Sequence, residues 1–173
     1  MALPILTVGE SWKDFGQAGF QTAYLGQFND TAMTWTYAGD GITINSFGGT
    51  WSGFNTFKFR PEQATSNISA VISTDNNSMD YTQTIILPTY VMTANLISKV
   101  QQIGQGFWRL ILIDKNGLYQ GFGFNYGLSV TAIEGGIGRV GSDTQGFMIS
   151  LTGHEQQASV IIAASASAQV IVA

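Results

Sequence analysis

Residues 110–126 read LILIDKNGLYQGFGFNY. An apolar run meets Asp114-Lys115-Asn116-Gly117 and leaves as an alternation of aromatic residues with glycine. Asn-Gly between two such runs supplies the positive φ that a hairpin turn requires, and β-branched and aromatic residues on either side favour strands. The stretch therefore predicts a β-hairpin, and with it a mainly β chain. The same Asp-Lys-Asn-Gly also opens a calcium-loop pattern. A calcium loop needs further oxygen ligands and a bidentate Glu at its twelfth position. That position is Asn125 and the flanks are strand-like, so a turn is predicted and a cation site is not.

Outward from the hairpin the same texture continues. Downstream, LSVTAI, GFMISLTG, ASVIIA and AQVIVA read as strands; upstream, NTFKFR alternates Phe57 and Phe59 inward with Lys58 and Arg60 outward, followed by SNISAVIST and MDYTQTIIL. TAMTWTY and GITINSF are short alternating runs bracketed by the turn signals FND and AGDG. One segment has a different period. In TANLISKVQQIG, Leu96, Ile97, Val100 and Ile103 recur at helical spacing, with Thr93 placed to cap the first turn and Gly104 to end the last. The expected fold is an antiparallel β-sandwich or barrel with one flanking α-helix at about residues 93–103. Residues 54–173 form that domain, and the Gly- and aromatic-rich residues 1–53 form an arm or hairpin region packed on it or extending from it.

Composition narrows the function classes. The chain has 173 residues, enough for one ordinary domain with a sizeable core, and no cysteine, which excludes disulfides, thiolate metal sites and a cysteine nucleophile. Seven basic against eleven acidic residues give a net charge of −4, and the basic ones, from Lys13 to Arg139, are scattered. Tight nucleic-acid binding needs a concentrated positive field, so it is disfavoured, whereas an acidic or neutral wall past which nucleic acid slides is not. The N-terminus, MALPILTVGESWKDF, lacks the basic and apolar regions of a secretory signal. The charge-free tail from Gln156 to Ala173 is broken by Ser165, Ser167 and Gln169, and falls short of the roughly 20 apolar residues that cross a bilayer. It reads as strand, and no membrane span is expected.

Reactive constellations are sparse. Gly136, Gly138 and Gly141 match G-x-G-x-x-G, yet a dinucleotide site needs a helix next, and SDTQGFMISLTG reads as a turn and a strand. His154 is the only histidine, beside Glu155 at a strand end, and reads as solvated rather than catalytic. Asp75 and Asp80 flank a turn as solvating charges. No cluster has metal-ligand spacing, and no catalytic residue, metal or cofactor is expected. Of the tryptophans Trp12, Trp35, Trp51 and Trp108, Trp108 opens an apolar strand and reads as core. Trp51 sits in the Gly-rich FGGTWSGF, where a large aromatic is suited to folding back on its own domain, anchoring an interface or stacking on a sugar.

From Phe54 to about Ala158 the order of features resembles small virion proteins of tailed phages, particularly those infecting Bacteroidetes, including the crAss-like phages. The likeness lies in FKFRPE, YTQTIIL, the helix NLISKVQQIG, the hairpin LILIDKNGLYQGFGFNYG and the ending DTQGFMISLTGHEQQA. The resemblance implies a tail-tube-like or portal-ring protein: a β-sandwich or barrel with one helix, whose identical subunits close into rings. Such rings would stack on adjacent tail or portal ring proteins around double-stranded DNA that passes without specific binding, in a virion assembled in the host cytoplasm. Interface contacts are expected from Trp12 and Phe15, from Trp51 in the loop 47–54, and from a C-terminal strand bearing Val160, Ile162, Val170 and Val172. The rival reading is a glycan- or receptor-binding β-sandwich of a fibre or capsid surface that uses Trp51. An enzyme dependent on His154 comes third.

Overall fold

The computed structural model describes residues 19–28, 33–49, 53–61, 64–73, 78–89, 94–136 and 146–170. Among these the chain is mainly β. In chain order the elements are β1 (Phe20–Gln27), β2 (Thr34–Tyr37), β3 (Thr43–Gly48), β4 (Asn55–Phe57), β5 (Thr65–Ser73) and β6 (Ser78–Pro88). After helix α1 (Ala94–Ile103) come β7 (Phe107–Asp114), β8 (Tyr119–Phe122), β9 (Leu128–Gly136), β10 (Gly146–Glu155), β11 (Val160–Ile162) and helix α2 (Ala164–Val170).

All strands join one open sheet in the order β2-β3-β11-β8-β7-β9-β10-β6-β5, with β1 paired to β7 and β4 paired to β1. It does not close into a barrel. Pairing is antiparallel except between β11 and β3. The junction is β7: its residues 110–113 lie between β1 and β8, while Phe107 and Trp108 at its start pair with β9. The sheet folds over on itself there, since Leu25 of β1 lines one small cavity together with Leu87 of β6, Ile149 and Leu151 of β10 and Ile103 of α1.

This arrangement explains why LILI is apolar at every position rather than at alternate ones. Leu110 and Leu112 enter a first core with Ala23, Leu25, Ile85, Leu87, Ile149 and Leu151. Ile111 points the other way, into a second core with Tyr24, Ile44, Phe47, Phe54, Phe124 and Val160. A strand covered on both faces has no solvated side, and each fully buried Leu or Ile contributes about 1.5–3 kcal/mol. The sheet is also continuous across residue 53, because β1 pairs with both β4 and β7.

Helix α1 seals the first core with Val100 and Ile103, and Leu96 packs beside them, while Ile97 is left exposed. The C-terminal tail departs from expectation. AQVIVA is expected as a strand; β11 stops at Ile162, residues 168–170 instead end α2 (ASASAQV), and residues 171–173 lie outside the described residues. Alanine has the highest helix propensity and the run Ala164–Ala168 contains no β-branched residue. The helix then covers β3: Ala166 is fully buried, and Gln169 Oε1 accepts the Phe47 N–H at 2.8 Å.

Candidate functional site

The features with chemical promise in the sequence resolve into structural roles. At the β7–β8 turn the Gly117 N–H donates to the Asp114 carbonyl (3.1 Å) and Gly117 takes φ 80°. Asp114 Oδ1 accepts the backbone N–H groups of Asn116 and Leu118, both at 2.8 Å. The carboxylate is thereby occupied in shaping a three-residue loop with glycine at the left-handed position. Of the G-x-G-x-x-G match, Gly136 ends β9 and the remainder lies outside the described residues; the next described element is strand β10, starting at Gly146. His154 is exposed, with Nδ1 at 3.0 Å from Asp80 Oδ2 and 3.2 Å from Thr82 Oγ1. Among the described residues no group of three metal-ligating side chains converges, and no helix is long and apolar enough to cross a membrane.

Three buried polar residues, none expected as a site, bind the loop after β8. Gln83 of β6 accepts the Gly123 N–H through Oε1 (3.0 Å) and donates through Nε2 to the carbonyls of Ala158 (2.8 Å) and Gln157 (3.2 Å). Glu155 at the end of β10 accepts the N–H groups of Asn125 (3.1 Å) and Tyr126 (2.9 Å). Burial pushes its carboxyl above the ordinary carboxylate range, and the backbone hydrogen bonds from Tyr126 and Asn125 oppose that shift. Arg109 of β7 is buried with its guanidinium 4.6 Å from the Phe28 ring and 5.3 Å from the Trp35 ring, and its Nε donates to the Phe124 carbonyl. Together these side chains pin the loop 123–127 to both halves of the sheet. Of the three, only Arg109 carried a sequence signal, a polar residue inside an otherwise apolar strand; Gln83 and Glu155 sit among other polar residues.

The expected interface residues divide into two groups. Trp12, Phe15, Trp51 and Val172 lie outside the described residues, and Val170 ends α2 instead of continuing a strand. Val160 and Ile162 are buried in the second core, where β11 is flanked by β8 and β3. They therefore offer no surface to another molecule, because their apolar area is already covered within the chain.

Surface of another kind is available. Among the described residues the strand path ends at β2 on one side and β5 on the other. β5, TSNISAVIS, has no ionisable side chain, and Ile72 (66 % exposed), Val71 (58 %), Met79 (48 %) and Ile68 (37 %) cluster on its hairpin with β6. A second feature is a cleft between β1, β4 and α1. Two adjoining cavities of about 350 and 380 Å³ share Gln27, Gln102 and Trp108. Asn55, Gln105 and Lys99 add to its polar rim.

No protein-family model, no curated protein and no solved structure matches this chain.

Proposed function

We propose that this chain is a self-assembling structural subunit of a tailed-phage virion, forming a homo-oligomeric ring or tube segment of the tail or portal conduit. The observation that carries the reading is the open sheet, whose terminal strand β5 is nine residues long, has no ionisable side chain and exposes Ile68, Val71 and Ile72. Proteins that stay monomeric blunt such edges with charge, proline or bulges. A subunit that meets copies of itself has no need to. The net charge of −4 suits a conduit wall that does not retain DNA. The order of FKFRPE, YTQTIIL and the DKNG hairpin adds the resemblance to phage ring proteins.

Light scattering across a concentration series, with negative-stain imaging and mass spectrometry of purified virions, tests the reading. Rings or tubes, and the chain among virion proteins, are expected. A monomer at every concentration that is also absent from virions overturns it.

A glycan-binding role has one observation in its favour, the cleft rimmed by Gln27, Asn55, Gln102 and Gln105. Carboxamides both donate and accept, as sugar hydroxyls do. Saturable binding of a neutral oligosaccharide that is lost in Gln102→Ala establishes this reading, and its absence across a glycan panel removes it.

A further inference from the structure

The β5–β6 hairpin outruns the rest of its sheet. β10 pairs with β6 only as far as Glu155 opposite Tyr81, yet β5 and β6 stay paired to Ser73 opposite Ser78. Side-chain alternation continues past the point where cover ends. Ile68, Ala70 and Ile72 stand opposite Gln83, Tyr81 and Met79, so they share the face that holds Ile85 and Leu87 in the core. That face is buried at Ile85 and Leu87 and open at Ile68, Ile72 and Met79. Among the described residues the hairpin thus presents core-type patterning with no layer over it and a strand edge paired on one side only.

From this geometry we infer that β5 is a homotypic docking edge, pairing antiparallel with β5 of a second copy about a two-fold axis at Ala70. Two observations select a second copy as the occupant. The first is register. With Ala70 opposite its own equivalent, Ile68 of each copy falls opposite Ile72 of the other, so the uncovered inner-face residues of β5 meet apolar partners. Cross-strand apolar pairs of this kind are what stabilise a sheet. The second is charge. Copies that each bear −4 repel one another, and a strand with no ionisable residue is where they can approach closely. Asp80, opposite Val71, lies on the other face of the hairpin and is engaged by His154 at 3.0 Å.

The inference rests on the self-association proposed above and adds a specific contact to it. A two-fold contact closes on itself. It joins copies in pairs, and ring closure is left to other surfaces, among them the β2 edge, which among the described residues pairs only with β3.

The absence of cysteine makes the test clean. Directly opposed residues of an antiparallel pair have Cα atoms about 4.5–5.5 Å apart, within the span a disulfide bridges. Under mild oxidation Ala70→Cys should give a covalent dimer, and Thr36→Cys on β2 alone should not. Ile72→Lys, at a side chain already exposed, should retain the wild-type circular dichroism and melting profile. It should also shift the wild-type monomer–dimer equilibrium toward monomer by about tenfold or more, because it places a cation opposite an isoleucine. Cross-linking only when Ala70→Cys and Thr36→Cys copies are mixed overturns the two-fold contact in favour of a head-to-tail one. No cross-link in Ala70→Cys from a preparation that forms rings overturns the inference and leaves the proposed function standing. A cross-linked dimer with neither rings nor virion association does the reverse.

Discussion

The carboxylate of Glu155 accepts the backbone N–H of Tyr126 at 2.9 Å, from a position only 2 % exposed at the end of β10. An acidic side chain buried against backbone N–H groups ties a surface-bound loop to the interior, and its ionisation is opposed by the burial that makes the tie strong.

Glu155 consequently makes stability depend on pH in a defined direction. Its folded pKa is raised, chiefly by burial, so the folded state holds the proton more tightly than the unfolded chain does. The resulting contribution to stability is fully present below the unfolded carboxylate value of about 4.3 and is lost as pH rises through the folded value. Glu155→Gln removes this dependence. Urea midpoints of the variant relative to wild type should move in favour of the variant between about pH 4 and pH 7. Glu155→Ala, which leaves the Asn125 and Tyr126 N–H groups without their acceptor, should lose about 1–3 kcal/mol at either pH.

Gln83 holds the same loop from the neighbouring strand. Gln83→Met keeps the volume but removes the acceptor for Gly123 and the donor for Ala158 and Gln157. A loss of about 2–3 kcal/mol in chemical denaturation is expected. Because both side chains fix residues 123–127, combining Gln83→Met with Glu155→Ala should cost measurably less than the sum of the single losses.

Gly153 is required by close approach. A Cβ there would lie 2.6 Å from the Gly127 carbonyl oxygen and 2.9 Å from Leu128 Cδ2. Backbone cannot yield as a side-chain tip does, so Gly153→Ala should destabilise by about 1–3 kcal/mol, read as a lowered melting temperature.

Gly117 shows the opposite case. A Cβ there meets nothing within 4 Å, and only the φ of 80° opposes substitution. Gly117→Ala should therefore cost about 1–2 kcal/mol, the penalty for a left-handed residue, with the spectrum of the fold unchanged. Asp114→Ala should cost a comparable amount through the lost acceptor for Asn116 and Leu118. Equal thermal stability of wild type with and without calcium would accord with a carboxylate already engaged by its own loop.

Much of the fold was legible because it is local. The Asp114–Gly117 turn, the strands flanking it and the period of α1 are each set by residues within about ten positions of one another, and local propensity and alternation report such features directly. At residues 168–170 local pattern points to a strand for the same reason, where α2 forms instead. β-Branched residues on either side suggested a continuing strand, whereas alanine propensity and the open surface of β3 decide the outcome.

By itself, the sequence determined a mainly β chain with one amphipathic helix at about residues 93–103, a hairpin at Asn116-Gly117 and few charged residues. Tertiary structure alone decided that LILI is covered on both faces, that Val160 and Ile162 are interior, and that Ile68 and Ile72 are not. Alternation marks which residues share a face of a strand, but whether that face is covered depends on which distant strands stack against it, and that depends on contacts far apart in sequence. The same rule holds for Gln83 and Glu155, whose hydrogen-bond partners lie 29 to 75 residues away.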